Sequence, residues 1–375
     1  MGEIEIDRAL TELVRDGAPR VLALIAKRFA DLDLADDAVQ DALLDAARTW
    51  PRDGVPHNPT GWLHAAARRR AIDQIRRTKL ADDRRSEVAQ RLEADRFPAD
   101  AGGRDLIDDE DGSDALAEDE RLRLILLCCH PALGPESQAA LTLRLVAGLS
   151  TAEIASAFLT SEATLAQRIS RAKRKIRTAK IPMSLPDRLD ERLVVVSDVL
   201  YLLFNEGYLS RSGAVAPVRV DLAEEAIRLT RLLVRLTDGA AEPRGLLALE
   251  LFQQARASTR VDGDGDLVLL GDQDRTRWDH ALIDEGNLVL RQAMELMEPG
   301  PHQVQAAIAG LHANAPAAGA TDWPTIVALY EQLVAMTDSP VARLNRVVAI
   351  AEVAGADAGL AELDDVDGLD DYHLA

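Results

Sequence analysis

The sequence predicts an all-α protein, and three observations carry that expectation. Ala, Leu and Arg dominate while aromatic residues make up only 3%, and Ala, Leu and Arg lose little freedom on entering a helix. Apolar residues recur at helical spacing in one segment after another. The breaks between those segments are short and marked by Gly and Pro. The 375 residues, 47% of them hydrophobic, suffice for two or three domains of roughly 100–200 residues each, with sizeable cores.

Charge divides the chain into modules. The net charge is −20, which argues against a simple nucleic-acid binder, but the value hides a segregation. Residues 1–79 hold 13 basic and 13 acidic side chains, and residues 80–120 hold 5 against 15. Residues 121–180 hold 10 against 3, and residues 181–375 hold 15 against 32 with no lysine. A local basic patch can bind phosphate within an acidic chain. Four segments follow: 1–80, helical; 81–117, an acidic flexible linker with Gly102-Gly103; 118–180, helical and basic; and 181–375, helical and acidic.

In the first segment, DLADDAVQDALLDAARTW places Leu34, Ala38, Ala42, Leu43 and Ala46 at helical spacing. The breaker-rich PRDGVPHNPTG predicts a loop, with a second helix from near Trp62 to about Thr78. That second helix carries six basic side chains from Arg68 to Lys79, with Asp73 the one acid. Arg69, Asp73, Arg76 and Arg77 share a face, and Ile72 and Ile75 lie on a flank that can pack inward.

In the third segment, helices resume at about Glu118. LRLILLCCHPAL reads as a buried helix stopped by Pro131, and PESQAALTLRLVAG as a helix closed by a left-handed cap at Gly148. Ser150 and Glu153 have the spacing of a capping box. A second helix follows a turn at Leu159-Thr160-Ser161, and Ala155 supplies the small residue that a helix-turn-helix needs. In that second helix Leu165, Ile169, Ala172 and Ile176 fall on one face. Thr164, Gln167, Arg168, Arg171 and Lys175 fall on another, where Arg and Gln could pair with base edges. Arg174, Arg177 and Lys180 extend the charge toward phosphates. A solvated amphipathic helix would show the same charges, but the capping box, turn and polar face occur together and favour DNA. Two basic helices on one tether suggest two contacts on one DNA molecule.

From Pro182 onward helical segments alternate with Gly/Pro breaks, the pattern of a tetratricopeptide-like array. VDGDGDLVLLGDQD carries Asp262, Asp264 and Asp266 at the spacing that opens a calcium loop. Leu267 and Gln273 stand where the turn glycine and closing Glu belong, so it reads as a Gly/Asp turn followed by an extended LVLL. DQDRTRWD, residues 272–279, fits either an internal docking surface or partner site, or an ordinary acidic helix start. NEGY, residues 205–208, could place Asn205 and Glu206 on a ligand, but a C-cap at Gly207 explains the pattern without one. Cys128, Cys129 and His130 lack the second ligand pair of a zinc site and read as core, so no metal or cofactor is expected. No phosphate loop, nucleophile elbow or HExxH motif occurs, so an enzyme is not expected. With no apolar run of 18 residues and no basic, apolar leader, the protein is expected in the cytoplasm, away from membranes. The chain stops at DDYHLA, in what reads as the start of a further helix.

These blocks resemble a known family. DDAVQDALLDAARTW followed by GWLHAAARRRAIDQIRR is similar to region 2 of extracytoplasmic-function (ECF) sigma factors, and LSTAEIASAFLTSEATLAQRISRAKRKI to their region 4. The order, the spacing and the lack of a region 3 agree over roughly residues 10–180. The resemblance implies an alternative sigma factor that binds core RNA polymerase through the β′ clamp helices and β flap, and initiates at specific promoters. It assigns Asp37, Gln40 and Asp41 to the clamp helices. It assigns the helix of Trp62, Arg69, Asp73, Arg76 and Arg77 to the −10 element, with His57 and Asn58 beside a flipped base. The −35 reader is the helix carrying Thr164, Gln167, Arg168, Arg171 and Lys175, and the acidic linker corresponds to the segment that threads toward the RNA exit path. The chain departs from the family at Leu159 and Ala163, where Gly is common.

LLCCHPALGPESQAALTLRLVAGLSTAEIA, YLLFNEGY, DQDRTRWD and TDWPTIVALY resemble a sub-group with a fused helical C-terminal domain. That likeness implies a domain that tunes sigma activity, through intramolecular contact with the sigma regions, in place of a membrane anti-sigma factor. The alternative reading is a one-component helix-turn-helix regulator with a C-terminal sensing domain, which leaves residues 37–77 without a role.

Overall fold

The computed structural model describes residues 3–90, 113–158, 160–186, 188–209, 222–262, 266–363 and 366. Leu159, Asp264, linker residues 91–112 and the terminal DDYHLA lie outside the described residues. The fold is all-α, as expected; among the described residues the only β feature is an isolated antiparallel bridge between Val261 and Leu267. The chain divides into two compact units, residues 1–155 with 160–186 and residues 156–159 with 187–375.

The first unit opens with α1 (Glu3–Glu12) and α2 (Ala18–Phe29), joined by a π-helical turn at Leu13–Gly17. α3 (Leu32–Asp53) starts where the Asp31 carboxylate accepts the backbone N–H groups of Asp33 (2.9 Å) and Leu34 (3.0 Å). Leu34, Ala38, Ala42 and Ala46 are buried as the periodicity requires, and Leu43 is half-buried. α3 runs on through Pro51 to Asp53 and stops at Gly54, whose φ is +86°. The expected loop is thereby shortened, because a proline N–H is missing but the remaining helical bonds persist. α4 (Pro59–Gln90) begins three residues before Trp62, with Asn58 Oδ1 accepting the Gly61 N–H at 2.8 Å. It extends twelve residues past the expected end at Thr78, and α5 (Ser113–Cys128) begins five residues before Glu118. Both ends of the segment expected as a linker are therefore helical; the helix formers there outweigh the acidic composition that suggested a tether.

α5 buries Cys128 and Cys129 completely. α6 (Pro135–Leu141) and a π-helical turn at Thr142–Val146 lead to Gly148, at φ +76°. A Cβ on Gly148 would stand 2.6 Å from the Val14 carbonyl oxygen, so this position needs glycine for both conformation and space. α7 (Thr151–Ala157) and α8 (Glu162–Thr178) form the helix-turn-helix.

Ion pairs join the two helical segments within this unit. Lys173 on α8 is buried and its Nζ lies 2.6 Å from Asp36 Oδ2 on α3. Arg177 reaches Asp33 at 2.6 Å, and Arg144 approaches Asp36 at 3.7 Å. Lys27 on α2 donates to the buried Glu120 of α5.

The second unit contains α9 (Leu189–Leu209), α10 (Leu222–Leu236), α11 (Ala241–Ala255), α12 (His280–Glu295), α13 (Pro301–Asn314), α14 (Trp323–Thr337), α15 (Pro340–Ala354) and α16 (Ala356–Leu363). Each helix packs against a sequence neighbour, and α11 sits at the centre, touching α9, α10, α12 and α13. Gly286 and Gly310 let α12 and α13 approach the Phe252 ring of α11; a Cβ at Gly286 would fall 2.8 Å from that ring. The C-cap expected at Gly207 is corrected: α9 continues through it to Leu209. Glu250 on α11 is fully buried, with Thr230 donating to Oε1 at 3.1 Å.

Two stability predictions follow from these buried charges. Lys173→Ala leaves Asp36 in the interior with only the more distant Arg144 and should cost about 3–5 kcal/mol, whereas Lys173→Met with Asp36→Leu should cost less than either single change. Denaturant midpoints followed through Trp50 exposure test this; equal losses in all three variants would contradict it. Burial raises the Glu250 carboxyl well above its usual range, against smaller opposing effects from Thr230 and Arg231. A raised folded pKa gives stability that is full below the unfolded value and is lost as pH climbs toward the folded one. Glu250→Gln should therefore raise the melting temperature of the second unit at about pH 8 and change it little at about pH 4.

Candidate nucleic-acid interface

α8 is built to show one face. Its start is fixed by Ser161, whose Oγ accepts the Thr164 N–H at 3.1 Å. Leu165, Ile169, Ala172 and Ile176 are all buried, as expected. The preceding capping box is formed as the spacing predicts. Ser150 N–H donates to Glu153 Oε2 at 2.8 Å, and Glu153 N–H donates to Ser150 Oγ at 3.2 Å. With that face held down, Thr164, Gln167, Arg171 and Lys175 are exposed together with Arg174, Arg177 and Lys180. Arg168 differs: it is half-buried and its Nη2 lies 2.6 Å from Glu136 on α6. To meet a base, Arg168 must exchange that partner, while Arg171 and Lys175 stand on the exposed stripe.

The second set lies on α3 and α4. Asp37 and Asp41 are exposed one turn apart, with Gln40 half-buried between them. Arg69, Asp73, Arg76 and Arg77 are exposed along α4. Arg70, also on α4, pairs with Asp45 of α3 and helps hold the two helices in register. Trp62 is half-buried, packed edge-on against the buried Trp50 with ring centres 5.6 Å apart. His57 is exposed, and the Asn58 side chain, though exposed, spends its oxygen on capping α4. The cationic start of α4 affects its own histidine: burial, then Arg68 and Arg28, lower the His64 pKa, so its ring is neutral at physiological pH. The residues that the resemblance assigns to core polymerase and to the −10 element thus share the α3–α4 hairpin, and those it assigns to the −35 element are gathered on α8.

Lys173 and Asp36 escaped the sequence reading. The signal was present, since Lys173 stands four residues after Ile169 and three before Ile176, on the apolar face. A cation there demands a buried acid, but nothing local says which of the chain's acids supplies it.

The DQDRTRWD segment serves both roles expected of it. Asp279 caps α12 by accepting the Ala281 and Leu282 N–H groups at 3.0 and 3.2 Å. Arg275 stacks on Trp278, 4.6 Å from the ring centre, and donates to the carbonyls of His312 and Ala315 at the end of α13. Trp278 Nε1 donates to Thr259 at 2.9 Å. Asp262 Oδ1 accepts the Asp266 N–H at 2.9 Å, and LVLL begins at the isolated bridge rather than in a strand. The Cys128–His130 corner is likewise structural, with His130 Nδ1 accepting the Ala132 N–H at 3.1 Å. No described helix is long and apolar enough to cross a membrane.

Comparison with known proteins agrees with this geometry. Residues 13–80 match the family model Sigma-70 region 2, and residues 123–176 match Sigma-70, region 4. Residues 192–294 match a family of unknown function, DUF6596. The chain is 42% identical over 357 residues to an uncharacterized protein of Rhizobium meliloti (strain 1021), covering 92% of this chain and 79% of that protein. It is 28% identical to the ECF RNA polymerase sigma factor SigK of Mycobacterium ulcerans (strain Agy99), over 42% of this chain and 78% of that one. It is 26% identical to the probable ECF RNA polymerase sigma factor SigI of Mycobacterium tuberculosis (strain ATCC 25618 / H37Rv), over 43% of this chain and 52% of that one. No solved structure matches. The chain belongs to the ECF-type RNA polymerase sigma factors, with sigma-70 regions 2 and 4 followed by an additional helical C-terminal domain.

Proposed function

We propose a division of labour among the exposed and half-buried residues of this sigma factor. Asp37, Gln40 and Asp41 bind the β′ clamp helices of core polymerase, and region 4 meets the β flap. His57, Asn58 and Trp62 together with Arg69, Asp73, Arg76 and Arg77 engage the −10 element. Thr164, Gln167, Arg168, Arg171 and Lys175 read the −35 element. The C-terminal unit tunes these activities through contact with the sigma regions, and the protein works in the cytoplasm beside the polymerase. The observation that carries this reading is the exposed polar stripe of α8, backed by four buried apolar positions and the Lys173 pair.

Promoter-directed transcription with purified core polymerase, with and without the chain, tests the whole. Specific initiation that requires the chain is the expected result; a folded chain that neither binds core nor initiates would refute it. Arg168→Ala with Arg171→Ala should weaken −35 recognition by about 30-fold or more, at roughly 1–3 kcal/mol for each of the two lost base contacts, with core affinity unchanged. Asp37→Ala with Gln40→Ala should lower core affinity and spare −35 recognition in whatever complex still forms. If each pair damages both steps equally, the division is wrong.

A further inference from the structure

The C-terminal unit encloses a cavity of about 530 Å³ among α9, α11, α13, α14 and α15, a size that suits a small organic ligand. Its floor is apolar: Leu249, Phe252, Trp278, Ile308 and Leu333 line it and are buried. Its walls carry Gln305, Tyr330 and Asn345, whose side chains make no hydrogen bond among the described residues. Polar groups left open beside a greasy floor are the usual layout of a ligand pocket, where the floor supplies affinity and the few polar groups fix orientation.

Charge narrows the ligand class. Arg256 lines the cavity, and no aspartate or glutamate does. The wall is positive enough to be felt by its histidine: burial, then Arg256 and Arg275, bring His312 down to about 4. The ring is therefore neutral at physiological pH and offers a flat face and a hydrogen-bonding nitrogen, held edge-on against Trp323 with ring centres 5.1 Å apart. The DQDRTRWD segment builds this corner, since Trp278 forms part of the floor and Arg275 is held on its ring.

We infer that this cavity is a binding site for a small organic anion with a flat apolar body, an aromatic carboxylate being the simplest member of the class. The ring system lies on Phe252, Trp278 and Ile308, the carboxylate faces Arg256, and Gln305 and Asn345 take the remaining polar edge. The inference stands on the C-terminal unit alone and does not depend on the assignment of promoter contacts.

Isothermal titration calorimetry of the full chain tests it, with 2-naphthoate, the neutral 2-naphthamide and the cationic 2-naphthylmethylammonium as probes. The expected result is one site per chain, with naphthoate binding at least about tenfold more tightly than either analogue. Arg256→Gln should remove that preference while leaving the naphthamide affinity in place. Ala309→Phe, which fills the cavity, should abolish binding of all three; circular dichroism checks the fold, and Arg256→Gln decides alone if the filled variant does not fold. No saturable naphthoate binding, equal affinity for the three probes, or binding indifferent to Arg256→Gln would each overturn the inference.

Discussion

A DNA-reading helix can present cations only if its other side is held against something, and in this protein a buried ion pair completes that hold. Leu165, Ile169, Ala172 and Ile176 anchor α8 by burial, at roughly 1.5–3 kcal/mol for each large side chain. Apolar burial is tolerant of small rotations about the helix axis, because it has no direction. Lys173 is not tolerant: turned outward it leaves Asp36 buried without its partner 2.6 Å away. The pair therefore fixes the azimuth of α8, and with it which of its cations point to solvent. Because Asp36 precedes Asp37 on α3, the same contact reaches the helix whose next residues are assigned to the polymerase.

The helical class, the apolar face of α8, the capping box and the left-handed glycine at 148 were all legible in the sequence, because each depends on neighbours within about four residues. What was not legible depends on long-range partners. Asp36 and Lys173 stand 137 positions apart, and only folding brings them together. Arg168 looked equivalent to Arg171 until α6 placed Glu136 beside it. The boundaries at Asp53, Gln90 and Ser113 were misjudged for a different reason. Pro51, acidic composition and low hydrophobicity argue against helix locally, yet a helix already nucleated propagates through unfavourable residues at small cost per step.

The second unit solves a different problem, keeping polar groups inside a stack of helices. Several of its buried polar groups are paired across elements: Trp278 with Thr259, Arg275 with the carbonyls that end α13, and His302 with Glu242 at 2.8 Å. Burial works to raise Glu242, but hydrogen bonds from His302 and Gln303 and charge from His302 bring it below its usual range, so Glu242 is held as a carboxylate. Glu250 is the contrast, buried with a hydroxyl for company and driven toward its neutral form. Two carboxyls eight residues apart on α11 thus adopt opposite states, decided by whether a basic partner is present.

The overall charge of −20 then acquires a physical meaning beside so small a basic surface. Affinity for DNA at physiological salt grows with the number of phosphates neutralised, each contributing a released counterion. The exposed cations of α8 and the turn after it are few, Arg171, Arg174, Lys175, Arg177 and Lys180, and Arg177 is already paired with Asp33. An acidic chain whose exposed cations are confined to local patches should bind random duplex weakly, since its net field opposes approach while screening leaves only close contacts effective. Weak intrinsic binding is useful in a factor meant to read promoters as part of a larger enzyme. It keeps the factor off the great excess of non-specific sites, and it makes recognition depend on the additional contacts and tethering that core polymerase supplies.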